Sequence, residues 1–342
     1  MTRALIVHRA SPGLTLQDAG RPGYLGFGLS RGGAADRLAL TEGAALLGQA
    51  DTHATLEMVG TGGEFETTGD MRVALTGAPM RATIDGARVT WNASHLLPAG
   101  VRLSIGAAQS GNYGYLHVGG GINTPDVLGA RSAHLAAGIG APLQSGVRLP
   151  VGDDPIAKNF GFLLDADPRF DGGTVRVVPG PQTDLFDAAE VSRFATIAFR
   201  RDTRGNRMGV RMICDDPGFF SEAGLSVLSE IIVPGDIQIT GDGTPFVLLG
   251  ECQTTGGYPR IGSVLPCDLP RIAQARPGTG LRFRMVTLAE AVEAERREAT
   301  RRKTLRNHLR PLIRDPHDIH DLLSYQLISG VTAGDDPESE GT

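Results

Sequence analysis

PFVLLGECQTTGGYP, residues Pro245 to Pro259, opens on a four-residue apolar run, Phe246 to Leu249, and breaks at Gly250 into a polar tail with two further glycines. A run that short reads as a strand, since a helix needs ten or more residues to bury a face. Gln253, Thr254 and Thr255 then emerge at the strand end with Gly256 and Gly257 behind them. Amides and hydroxyls offer both donors and acceptors, which suits a neutral amide or urea-like substrate better than a phosphate. A capped hairpin uses the same residues, so the stretch carries both readings.

The same pattern of short strands between glycine-rich turns recurs outward in both directions. Leu5 to Val7, Arg72 to Thr76, Arg88 to Trp91, Arg102 to Ile105 and Tyr115 to Val118 read as strands of a first half; Thr174 to Val178, Ile197 to Phe199, Ile237 to Thr240 and Leu281 to Met285 join Phe246 to Leu249 in a second. One helix is expected in the first half, Ala34 to Leu47, with Asp36 near its start and Gly48 after its end. These readings divide the chain into a β domain over 1–152, a polar junction over 153–173, a second β domain over 174–287, a helical extension over 288–329 and a disordered acidic tail over 330–342.

Composition agrees with a mainly β chain. Gly 47 and Pro 21 fill about a fifth of 342 residues, against a background of roughly 12%, and both are penalised in helix interiors. A net charge of −5 gives no global reason to expect nucleic acid or an anionic membrane as a partner. No apolar run approaches the roughly 18 residues of a membrane span, so a cytoplasmic protein is expected. Cys214, Cys252 and Cys267 are odd in number and lack CxxC spacing, which argues against a disulfide framework and a zinc knuckle. Lys158 and Lys303 are the only lysines. No GK[ST] phosphate loop exists, and neither lysine has the setting of a biotin acceptor, so the chain by itself is expected to hold no cofactor and no metal.

Three further segments carry polar groups on glycine-rich turns. TLQDAGRPGYLGFG, Thr15 to Gly28, holds Gln17, Asp18 and Arg21; an Asp–Arg pair fixing the turn is the alternative to a ligand site. YLHVGGGINTPDVLGARSAHL, Tyr115 to Leu135, runs a strand into three glycines, with Arg131 and Ser132 beyond; an anion-binding nest and a sharp turn are both compatible. NRMGVRM, Asn206 to Met212, contains Arg207. No GxSxG elbow appears, so a serine-elbow hydrolase has no support.

In order along the chain, QDAGRPG, LHVGGG, VLGARS, VVPGPQ, NRMG, IVPGDIQIT, QTTGGYP and DLPRIAQARPG resemble the allophanate hydrolase subunit 2 or KipA family of biotin-dependent carboxyltransferases, over roughly Val7 to Val292. That family includes the C component of 5-oxoprolinase and part of the urea carboxylase carboxyltransferase domain. The resemblance implies two cyclophilin-like β-barrel domains and a KipI-like subunit 1, similar to the B component of 5-oxoprolinase, that shares the active site; a LamB/YcsF-type A component is a further partner. The sequence departs from the family pattern at Gly32, Ala44, Gln49, Tyr113, Ala130, Ala133, Glu251 and Cys252.

The activity implied first is ATP-dependent opening of 5-oxoproline to glutamate, with ATP handled by a partner. Gln253 and Thr254 are then the catalytic candidates beside Asp18 and Asp36. Gln17, Arg21, Arg131, Ser132, Arg207, Thr255 and Tyr258 are the substrate-binding ones, an arginine fork being suited to a carboxylate. Carboxyl transfer from carboxybiotin on a separate carrier to urea or guanidine is the second implied activity, in which Asp18 or Asp36 accepts a proton. A regulatory protein that only binds a KipI-like chain is the third.

Overall fold

The computed structural model describes residues 3–221 and 227–313. Two antiparallel sheets form the first half. One orders its strands Arg148–Pro150, Ala4–Arg9, Glu64–Thr67, Arg102–Ala108, Met80–Ile84 and Ala87–Val89; the other runs Thr15–Gln17, Thr55–Val59, Tyr113–Val118, Met71–Gly77, Ala93–Leu97, Phe162–Leu163 and Arg310–Pro311. Leu5, Val7, Leu56, Phe65, Val73, Leu103 and Leu116 are fully buried in the core of this half. Each contributes about 1.5–3 kcal/mol relative to exposure.

Every residue of Met71–Gly77 and Tyr113–Val118 is buried, on both faces. The outer face is covered by helix α1, Arg37–Leu47. Asp36 caps it, accepting from the amides of Leu38 and Ala39, and Gly48 ends it in the left-handed conformation (φ 62°). The helix lies close because Gly43 has no side chain: a Cβ there would stand 2.4 Å from the His117 ring.

The second half is a closed barrel of Gly173–Val178, Arg260–Val264, Asp236–Ile239, Pro245–Leu248, Gly209–Ile213, Phe199–Gly205 and Gly280–Met285. Parallel pairing of Gly173–Val177 with Leu281–Met285 closes it. Phe194, on helix α2 (Ala188–Thr196), stacks on Phe283 at 4.9 Å and meets Phe199 and Phe219, filling the interior with rings. The mainly β expectation holds; α2 and the short helix α3, Leu269–Gln274, are additions to it.

The polar junction packs onto the first half. Asp154 forms a buried bidentate pair with Arg72, and Phe162–Leu163 extends the second sheet. Helix α4, Leu288–Thr304, opens on a capping box between Thr287 and Glu290 and buries only Ala291 and Ala294. It ends earlier than its composition suggests, because Leu305 turns in to pack against Leu38, Leu46, Leu47 and Leu164 and the chain rejoins the first half at Arg310–Pro311. The remainder of the expected helical extension, from residue 314, and the expected tail at 330–342 lie outside the described residues. Among the described residues, no helix is long and apolar enough to cross a membrane.

Candidate functional site

A cleft of about 280 Å³ opens on the barrel beside Gln253. Met208, Ile232, Phe246 and Leu248 line it with apolar surface, and Gln253 and Tyr258 stand at it as exposed polar groups. Thr255–Gly256 pairs with Glu230–Ile231, and the Thr254 carbonyl accepts from the Ile232 amide at 3.0 Å, so this segment is held by a short hairpin ladder. Gln238 reaches the cleft from strand Asp236–Ile239; it is 8% exposed, and its amide finds no partner among the described residues. Gly256 makes room for it, since a Cβ there would stand 2.6 Å from Gln238 Nε2. Cys252, also at the cleft, has its thiol pushed up to about 12 by burial and is no nucleophile at neutral pH.

Arg207, at the base of the NRMG turn, points away from this cleft into the joint between the halves. Its Nε donates to Glu251, Nη1 to Glu57 and Nη2 to the Gly33 carbonyl. Glu57 also accepts from the Ala35 amide at 2.8 Å and the Tyr115 hydroxyl at 2.7 Å. Burial pushes the Glu57 carboxyl above its ordinary range against the pull of Arg207. The Tyr115 oxygen in turn accepts from the Asp36 amide at 2.8 Å. Asp36 receives Arg169 Nε at 2.6 Å and Gln274 Nε2 at 2.8 Å on the carboxylate oxygen that does not cap α1, and Arg169 forks onto Glu42. The result is one buried chain of charge and hydrogen bonds from Glu251 to Glu42.

The Gln17–Arg21 turn is tied to itself and to its neighbour. Asp18 accepts from the amides of Gly20 (2.8 Å), Arg131 (2.6 Å) and Ser132 (3.2 Å). Arg21 is buried and spends its fork on the carbonyls of Val127, Ala130 and Ser132 and on the Ser132 hydroxyl. Gln17 donates to Thr15 and to the Ala133 carbonyl. Arg131 is half-buried and bonded to Thr124 and Asn123, with Nη1 unused among the described residues.

Ser30, His134 and Glu251 line up as hydroxyl, imidazole and carboxylate, with Ser30 Oγ 3.0 Å from His134 Nε2 and Glu251 Oε2 4.0 Å from Nδ1. The tautomer runs the wrong way for a nucleophile. Nδ1 accepts from the Ala137 amide at 3.2 Å, so the proton of the neutral ring sits on Nε2 and is donated to Ser30. All three residues are at most 3% exposed.

Residues 27–285 match the family described as the carboxyltransferase domain, subdomain A and B. The chain belongs to this family. It is 35% identical over 302 residues to the C component of 5-oxoprolinase from Escherichia coli, covering 85% of this chain and 94% of that one. Among solved structures, TTHA0988 superposes with a TM-score of 0.76 at 29% identity, over 82% of this chain and 56% of that one. The Kluyveromyces lactis urea carboxylase has the same fold, with a TM-score of 0.77 at 23% identity over 92% of this chain and 31% of that one.

Within this carboxyltransferase-domain chain, the residues singled out in the sequence fall into three groups. Gln253, Thr254, Thr255 and Tyr258 lie on the segment that borders the cleft. Gln17, Asp18, Arg21, Arg131 and Ser132 form a separate knot, and Asp36 and Arg207 belong to the joint. The groups come together near the root of the QTTGGYP segment, where Gly250 accepts from the Gly32 amide at 2.8 Å and Glu251 accepts from the Ala136 amide at 3.0 Å and from Arg207. Glu57, Glu42, Arg169 and Gln238 were not legible as site residues. An isolated carboxylate, amide or guanidinium has no local signal, and the partner lies more than a hundred residues away for Glu57, Glu42 and Arg169.

Proposed function

We propose that this chain is one component of an ATP-dependent 5-oxoprolinase, with the Gln253 cleft forming one wall of a site completed by a KipI-like protein resembling the B component of that enzyme. The observation that carries the reading is the pair of side-chain amides, Gln238 and Gln253, that stand over the apolar surface of the cleft, with Asn206 and Thr240 also lining it. Gln238 is buried with no partner among the described residues and Gln253 is exposed at the same cleft, so together they offer the complementary donor and acceptor that a cyclic amide needs. Tyr258 supplies a third polar group at the same place.

Opening the lactam breaks its C–N bond and adds water, giving the carboxylate and amine of glutamate. ATP, bound by a partner, activates the amide carbonyl; this chain's residues orient the ring and exclude competing water. Leu228 (88% exposed), Ile231 (61%) and Tyr258 (45%) cluster on the paired segments beside the cleft, an apolar surface suited to the partner. The identity to the C component of 5-oxoprolinase over nearly that protein's whole length supports the same assignment. A LamB/YcsF-type A component completes the proposed complex.

Carboxyl transfer from carboxybiotin on a separate carrier to a urea-like nitrogen is the second reading, favoured by the fold shared with urea carboxylase. Reconstitution distinguishes them. Mixed with its partners, the chain is expected to support ATP hydrolysis that depends on 5-oxoproline, with Gln238→Leu and Gln253→Ala lowering it while both variants remain folded by circular dichroism. Turnover of urea or guanidine with carboxybiotin, and none of 5-oxoproline, overturns the oxoprolinase reading; stable association without any turnover replaces it with a regulatory one.

A further inference from the structure

A smaller cavity, of about 90 Å³, lies where the two halves meet at the start of α1. Ala34, Leu249, Leu269, Pro266 and Pro270 give it apolar walls, and Arg31 and Arg37 are the charged residues that line it. Gly32 and Gly250, joined amide to carbonyl at 2.8 Å, also line it, so both halves bound the same space. It is separate from the Gln253 cleft. Leu248 lines that cleft and Leu249 this cavity, because successive residues of an extended chain face opposite sides. Leu248 packs with Ile232 and Cys252, whereas Leu249 belongs to the barrel core.

Arginines that line other cavities of this chain have a carboxylate lining the same space. Arg169 shares its cavity with Glu42, which takes its fork at 2.7 and 2.8 Å. Arg176 and Arg301 share another with Asp268 and Glu298, which accept from them at 2.6 and 2.7 Å. No acid lines the cavity of Arg31 and Arg37. The half-buried Arg31 donates Nε to the Ala19 carbonyl at 2.9 Å and bonds no other described residue through its side chain; the exposed Arg37 side chain bonds none. Desolvation by the surrounding protein and the like charges of Arg31 and Arg302 hold Arg37 below its ordinary pKa. Asp51 acts against them but forms no ion pair with it.

Two like charges on one cavity, with no acid among its lining residues, attract an anion. The apolar walls favour an anion that carries a hydrocarbon body. We infer that Arg31 and Arg37 hold the carboxylate of a small organic acid whose short apolar body occupies the cavity between the halves. A guanidinium fork matches the two oxygens of a carboxylate, and a space of several water-sized groups limits the body to a few carbons. An amino acid does not fit, because its ammonium would meet two arginines and no acceptor of opposite charge. The inference is independent of which reaction the Gln253 cleft serves.

Thermal unfolding of the full chain tests it, with sodium butyrate as the probe, sodium chloride at equal ionic strength as control and 4-aminobutyrate as the same body bearing an ammonium. Butyrate is expected to raise Tm saturably above the chloride control, and 4-aminobutyrate is expected not to. Arg37→Gln removes a charge that bonds nothing in the described chain, so in chloride it is expected to unfold at the parent's temperature. Its apparent affinity for butyrate is expected to be weaker on the order of tenfold, and that of Arg31→Gln likewise. No saturable rise with butyrate, an equal rise with 4-aminobutyrate, or an affinity unchanged in either folded variant would each overturn the proposal.

Discussion

Arg207 and Glu57, 150 positions apart in the chain, form a buried ion pair at the joint between the two β halves. Glu251 holds the same guanidinium from the other side. The turn named by NRMG is thus anchored across the joint, and Glu251, two residues before Gln253, fixes the root of the segment that borders the cleft.

Arg207→Ala strands two buried carboxylates and is expected to lower stability by about 3–5 kcal/mol. Replacing the pair together, Arg207→Met with Glu57→Gln, is expected to cost less than Arg207→Ala alone, because one buried carboxylate, Glu251, rather than two is then left without Arg207. Urea unfolding of the three proteins measures this; equal losses would mean that the pair contributes nothing specific.

Asp36 is completely buried, with both oxygens engaged. Asp36→Asn retains an oxygen for the helix cap but removes the charge that faces Arg169. A loss of roughly 1–3 kcal/mol is expected, read by the urea midpoint. Turnover of the reconstituted complex is expected to be unchanged at temperatures where the variant is folded; a large drop there would restore Asp36 as a proton acceptor.

His117 is buried against Gly43, 2.8 Å from the Thr76 hydroxyl, and burial lowers its pKa to about 3. The unfolded chain binds a proton near pH 6.5 that the folded chain refuses, so the unfolded state holds more protons between those values. The contribution of this residue to stability is therefore present above pH 6.5 and lost as pH falls toward 3. Stability measured from pH 7 to 4 is expected to fall with a slope that His117→Gln reduces by up to about one proton. Titration of the His117 ring signal near pH 6.5 by NMR in the folded protein would contradict this.

Gly256→Ala places a methyl 2.6 Å from Gln238 Nε2 and 3.1 Å from Ile232 Cδ1. Its neighbours are side-chain ends, so the fold is expected to tolerate it with a loss within about 1 kcal/mol. Displacing the Gln238 amide is expected to reduce 5-oxoproline-dependent ATP hydrolysis by the reconstituted complex on the order of tenfold, the worth of one hydrogen bond made well. Full activity in a folded Gly256→Ala protein would remove Gln238 from the proposed site.

Local signals were enough for α1 and for some of the strands; Thr55–Val59, Met80–Ile84, Gly209–Ile213 and Arg260–Val264 were not read from them, and the strand expected at Ile197 to Phe199 begins only at Phe199, after α2. Phe246 to Leu249 and Tyr115 to Val118 are short, mainly apolar runs that end at a glycine, Leu281 to Met285 alternates apolar residues with arginine, and Asp36 and Gly48 bracket the helix, so neighbouring residues alone specify those elements. Helix α2 escaped because AAEVSRFAT is short and its one buried residue, Phe194, is committed to the barrel rather than to a local face. The early end of α4 escaped for a similar reason: Leu305 is recruited by leucines more than 140 residues away.

By itself the sequence determined the β-rich character, the absence of a lysine-bearing phosphate loop and the motifs that place the chain in its family. Each depends on residue type and near spacing. Only the tertiary structure decided which polar groups stand at a cleft and which hold the halves together. Asp18, Arg21, Asp36 and Arg207 have the chemistry of a site, yet their partners are backbone amides, carbonyls and carboxylates brought in from distant segments. Gln238 looks ordinary in the chain, and the fold leaves its amide without a partner among the described residues. A side chain's availability depends on what surrounds it after burial, and burial is settled by contacts that sequence spacing does not record.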